Sequence, residues 1–102
     1  MLAEPILEEK EEIDLLYEKS YQIIFYNDNE IPYEPVVIIL KEVFDLPDDE
    51  IIKKIITAEK QGHAKAKGGY NFSKASEKVN EAKELFSEMW AGKQLKMTIE
   101  EE

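Results

Sequence analysis

The stretch Tyr26-Asn27-Asp28-Asn29-Glu30-Ile31-Pro32-Tyr33-Glu34 is the place in this chain where carboxylate, carboxamide and aromatic groups crowd together. Asp28 supplies a carboxylate acceptor, and Asn27 and Asn29 supply carboxamides that both accept and donate. The chemistry on offer is binding. Asp28-Asn29-Glu30 faintly resembles a calcium loop, but it lacks the glycine and the distal bidentate glutamate of an EF-hand. Catalysis has less to work with. His63 is the single histidine, next to Gly62 in a turn, and reads as a surface side chain; there is no cysteine, and no serine has an obvious base. A nucleophile–base pair therefore cannot be assembled from local spacing, and no enzyme is expected. Asp48 and Asp49 read as first-turn helix charges, and Gly68-Gly69 opens neither a G-x-G-x-x-G nor a Walker pattern.

The chain that carries this loop has 102 residues, which predicts one domain with a modest core. A hydrophobic fraction of 43% with ten aromatics supports folding. Without cysteine there is no disulfide framework and no thiolate metal site, and no cofactor is expected. A net charge of −10 disfavours nucleic acid, whose phosphates need a basic surface. Acidity also serves solubility, so it points only weakly to a cationic or mixed-charge partner. No apolar run approaches a membrane span, and the start lacks the pattern of a secretory signal. A cytoplasmic monomer is the expectation.

Residues 1–20 are acidic and uneven, with the block Glu8-Glu9-Lys10-Glu11-Glu12. Ile6, Ile13, Leu16 and Tyr17 have the spacing of a short amphipathic helix, whereas Pro5 and the charge density favour a loose extension. Residues 21–102 are the expected core domain. Tyr21–Tyr26 is aromatic and β-branched and ends in Asn-Asp-Asn, which predicts a strand and a turn, with bulk on both faces. Val36–Leu40 alone would suit a strand. Pro32 suits helix position N1, however, and Val36, Ile39, Leu40, Val43 and Phe44 then share one stripe, so a buried helix over 32–44 is predicted.

Pro47 suits N1 of a second helix ending before Gly62, with Ile51, Ile52, Ile55 and Ile56 inward. His63–Gly69 predicts a short, weak edge strand with outward lysines. Asn71 is the expected N-cap of a helix carrying Phe72, Ala75, Val79, Ala82, Leu85, Phe86, Met89 and Trp90 inward, stopped by Gly92. Gln94–Ile99 alternates as a last strand, and Glu100–Glu102 fray into solvent. The order β-α-α-β-α-β predicts an α+β domain of two layers.

Strand, Asn27-Asp28-Asn29, and Pro32 opening a buried helix resemble the ClpS adaptor family, which usually reads Asn-Asp-Asp, a two-residue spacer, then Pro. Gln61-Gly62 is similar to the end of that family's His-x-Gln-Gly segment. Gly68-Gly69-Tyr70-Asn71-Phe72, followed by Ala75-Ser76-Glu77-Lys78-Val79, is similar to its Gly-Val-Tyr-Thr stretch and Ala-Glu-Thr-Lys-Val helix. The resemblance covers roughly residues 21–100. It implies a ClpS-like fold with a three-stranded antiparallel sheet, similar to the C-terminal domain of the ribosomal stalk protein. It implies an adaptor that binds proteins with a bulky hydrophobic N-terminal residue, an N-degron, and delivers them to a AAA+ unfoldase of ClpA or ClpC type. The expected contact on the unfoldase is its N-domain, and the extension 1–20 would be what the unfoldase engages.

On that resemblance the substrate's protonated α-amino group is expected at Asn27 and Asp28, with Asn29 and Glu59 as further members of the cage. Ile31, Tyr33, Val36 and Ala58 are expected to line the slot for the first side chain, whose burial contributes about 1.5–3 kcal/mol. The sequence departs from the family at several of these positions. Glu59 stands where the family has its histidine; it either accepts the same hydrogen bond or faces solvent. Asn29 replaces an acid and Ile31 a threonine. Tyr33 is bulkier than the usual gate residue, and Ala58 is smaller than the usual valine. The alternative is a ClpS-fold module that regulates an unfoldase or another assembly without reading N-termini.

Overall fold

The computed structural model describes residues 19–102, so the expected extension lies almost wholly outside the described residues. The elements are β1 (Tyr21–Tyr26), α1 (Tyr33–Glu42), α2 (Asp48–Gln61), β2 (His63–Tyr70), α3 (Phe72–Met89) and β3 (Met97–Glu101). They form one antiparallel sheet in the order β2-β1-β3, with helices packed against it. This is the expected α+β domain. No helix among the described residues is long and apolar enough to cross a membrane.

β1 is central because it can be buried on both faces. Tyr21, Ile23 and Phe25 enter the main core, and Ile24 is buried on the opposite face. The stripe Val36, Ile39, Leu40, Val43 and Phe44 is wholly buried, as its spacing predicts. A Schellman-type end closes α1: Asp45 takes φ 55°, its N–H donates to the Lys41 carbonyl at 3.1 Å, and the Leu46 N–H donates to the Leu40 carbonyl at 3.2 Å. Lys78 Nζ and Lys67 Nζ then donate to the free carbonyls of Val43 and Phe44 at 3.1 and 3.0 Å. Both cations sit where the negative end of the helix dipole favours them.

Several local expectations are corrected. Pro32 and Pro47 are N-caps, one position earlier than N1, because their ψ angles of 161° and 158° are extended. On α2 the buried side is Ile51 and Ala58 with Ile55 half-buried, whereas Ile52 and Ile56 are 59% and 47% exposed. The core-facing stripe of α2 is narrower than that of α1: it follows Ile51, Ile55 and Ala58 at spacings of four and three, and leaves Ile52 and Ile56 about 100° further round the axis. β2 is an eight-residue strand and not a short one, although it is an edge and its pairing with β1 shifts register near Ile23. Lys65 and Lys67, on that strand, are engaged by Glu102 and by the Phe44 carbonyl.

Asn71 caps α3 as expected, its Oδ1 accepting from the Lys74 N–H at 2.7 Å. The helix ends at Trp90, whose backbone is extended, two residues before Gly92. Gly92 has a different reason to be glycine: a Cβ there would lie 2.8 Å from the Trp90 indole nitrogen. The C-terminal acids do not fray. Glu100 and Glu101 belong to β3, and Glu102 accepts from the Gly69 N–H at 2.6 Å and the Ser20 hydroxyl at 2.7 Å.

Candidate functional site

β1 runs out at Tyr26, and the next residues turn sharply because Asp28 organises them. Its backbone carbonyl accepts from the Ile31 N–H at 3.0 Å, and its Oδ1 accepts from the Glu30 N–H at 2.9 Å. This side-chain-to-backbone bond is the Asx turn that aspartate favours. The turn pushes Asn29 and Glu30 into solvent and drops Ile31 into the core at 7% exposure. Pro32 then starts α1 with Tyr33 on the rim.

Beside this turn lies a narrow apolar cleft, part of it open to solvent. Phe25 and Tyr26 enter from β1, Ile31 from the loop, Tyr33 and Val36 from α1, Ile55 and Ala58 from α2, and Leu95 from the segment before β3. Asn27 and Asp28 form its polar edge. A second, more open hollow is lined by Asn27, Asp28, Asn29, Ile31, Pro32 and Tyr33. The two share Asn27, Asp28, Ile31 and Tyr33, so an apolar slot and a polar vestibule open into one another at the Asn-Asp pair.

Asp28 keeps Oδ1 for the turn and directs Oδ2 to Lys93 Nζ at 2.9 Å. Glu30 Oε2 is 3.9 Å from the same ammonium. The Lys93 ammonium, together with the Glu30 amide, holds the Asp28 carboxyl below the usual carboxylate range. Asp28, with Glu30 behind it, raises the Lys93 ammonium in turn. Asn27 donates its side-chain amide to Asn29 Oδ1 at 3.5 Å, at the limit of a hydrogen bond, and its own oxygen remains as an acceptor. Tyr26, the aromatic wall, carries Lys96 Nζ 4.5 Å from its ring centre and stands 5.8 Å from the His63 ring.

The structure therefore brings Asn27, Asp28, Ile31, Tyr33, Val36 and Ala58 together around one opening. Asn29 is exposed on the vestibule wall. Glu59 follows Ala58 on α2 but faces solvent, outside the lining of the cleft. Sequence reasoning missed Ile55, Leu95, Phe25 and Tyr26 as lining, and Lys93 as a partner of Asp28. Ile55 was legible as an inward helix position one turn before Ala58. Among the described residues no cluster of three or more His, Asp or Glu could hold a metal ion.

Comparison with known proteins supplies the context. The family model described as "ATP-dependent Clp protease adaptor protein ClpS" matches residues 17–98. Among solved structures, Agrobacterium tumefaciens ClpS2 bound to L-phenylalaninamide superposes with a TM-score of 0.72 at 33% identity, covering 82% of this chain and 98% of that one. No curated protein matches.

Proposed function

The chain belongs to the ClpS family of Clp protease adaptors, and from that premise we propose that it binds the N-terminus of proteins that begin with a bulky hydrophobic residue. The observation that carries this reading is the junction of the apolar cleft with the Asn27–Asp28 pair. An N-terminal residue presents two things within a few bonds of each other: a side chain and an ammonium that is largely protonated at neutral pH. The cleft suits the first, and the oxygens of Asn27 and Asp28 suit the second. The similar Agrobacterium protein was solved with L-phenylalaninamide, which carries both a benzyl side chain and a free α-amino group.

In this reading Asn27 and Asp28 take the amino group, and Ile31, Tyr33, Val36, Ile55, Ala58 and Leu95 take the side chain. Glu59 and Asn29 are left out of the contact set, the first for its outward position and the second for its exposure. The finer proposal is delivery: the loaded chain docks on a AAA+ Clp unfoldase of ClpA or ClpC type, which unfolds the cargo for the protease. The family is an adaptor family, so the chain's part is recognition and not bond cleavage.

The test is titration with a peptide starting in Phe, its amino group either free or acetylated. Acetylation removes the positive charge and leaves the ring, so only the free peptide should bind well. Equal affinity for both would refute the reading. Delivery is tested separately, by whether the chain speeds degradation of a Phe-initial reporter by a ClpA- or ClpC-containing protease.

A further inference from the structure

Lys93 lies in the segment joining α3 to β3, far along the chain from the loop it meets. The segment is fixed on both sides: the Trp90 indole packs against Gly92, and Leu95 is buried in the cleft wall. Between these points the Lys93 ammonium reaches Asp28 Oδ2 at 2.9 Å, with Glu30 Oε2 at 3.9 Å.

We propose that Lys93 is an internal competitor for the substrate's amino group, occupying Asp28 in the free protein and shifting to Glu30 when an N-terminus binds. The inference rests on the N-terminal reading above. Oδ1 of Asp28 is committed to the Glu30 N–H, which leaves Oδ2 as the oxygen open to a cation. Two ammonium groups bonded to that one oxygen would lie within about 5 Å of each other and repel. Lys93 has somewhere to go, because the Glu30 carboxylate is already close and is 77% exposed. The move is easy, since the Lys93 side chain is itself 57% exposed. The consequence is a lower affinity and a faster release, because Lys93 returns to Asp28 as the cargo's amino group leaves. A protein that must surrender its cargo gains from such a device.

The test is Lys93→Met, which keeps the aliphatic stem and removes the charge, with Lys93→Gln as a second neutral variant. Exposed ion pairs are weak, so a Phe-initial peptide should bind about two- to fivefold tighter to either variant and dissociate more slowly by a similar factor. The acetylated peptide should be unaffected. Lys53→Met, at an exposed position of α2, changes net charge equally and should leave affinity unchanged. The gain should shrink at high salt. If Lys93→Met binds the free peptide equally or more weakly while the wild type still prefers the free amine, the competitor role is overturned and the N-terminal reading stands. If wild type and variant alike fail to distinguish free from acetylated peptide, both fall together.

Discussion

The backbone N–H of Asn27 donates to the carbonyl of Gly62 at 2.9 Å, which ties the polar loop to the end of α2. Gly62 closes that helix with φ +90°, and its own N–H returns to the Ala58 carbonyl at 2.8 Å. Ala58 lines the apolar cleft and Asn27 its polar edge, so one glycine joins the two walls. A Cβ at Gly62 would meet nothing within 4 Å, so the cost of Gly62→Ala is conformational. A left-handed non-glycine residue costs about 1–2 kcal/mol, and chemical denaturation should register a loss of that size. An unchanged midpoint would mean the turn is not held as described.

Ala58 is 2% exposed and sits on the cleft wall. Ala58→Leu pushes a larger side chain toward that space, because a packed core has no other room for it. Affinity for a Phe-initial peptide should fall about tenfold or more, while the protein keeps a cooperative unfolding transition with a cost of about 1–3 kcal/mol. Undiminished binding would put the substrate's ring elsewhere.

Acid should weaken binding and stability together. The carboxyl groups of Asp28 and Glu102 are both lowered, the first by Lys93 and then the Glu30 amide, the second by the Gly69 amide and then the Ser20 hydroxyl. A lowered folded value means the stabilisation is present above the ordinary carboxylate range and is lost as pH falls through the folded value. Peptide binding should therefore decline on the acid side as Asp28 takes a proton, and on the basic side as the peptide's amino group loses its own near about 8. In Lys93→Met the acid limb should move to higher pH, since the main cause of the Asp28 shift is gone. A limb that stays put would show that Asp28 does not set it.

Asp28 and Glu59 should separate cleanly on substitution. Asp28→Asn keeps an oxygen for the Glu30 N–H and removes the charge, so affinity for the free-amine peptide should drop about tenfold. Glu59→Gln alters a side chain in solvent and should change affinity less than twofold. A comparable loss in both variants would bring Glu59 into the contact set.

The sequence made the elements legible wherever period and punctuation agree. The aromatic strand bounded by Asn-Asp-Asn, the stripe from Val36 to Phe44 and the Asn71 cap are where their patterns predict. Ile52 and Ile56 were misjudged because an apolar pair marks a face only when the neighbours of the helix are known. Lys93 had no local signal, since an ion pair between a lysine and an aspartate so distant in sequence follows from the closing of β3 beside β1. Glu102 was hidden for the same reason: its role depends on Gly69 and Ser20 reaching one corner of the sheet. The site was half visible, as a loop of acceptors, and half the product of tertiary packing.

The most direct measurement is an NMR structure of the chain with L-phenylalaninamide, read through contacts from the ligand's ring and from Lys93. The account predicts ring contacts to Val36, Ile55, Ala58 and Leu95, the amino group beside Asn27 and Asp28, and Lys93 moved toward Glu30. A ring that contacts none of these cleft residues, or no saturable binding, would contradict it.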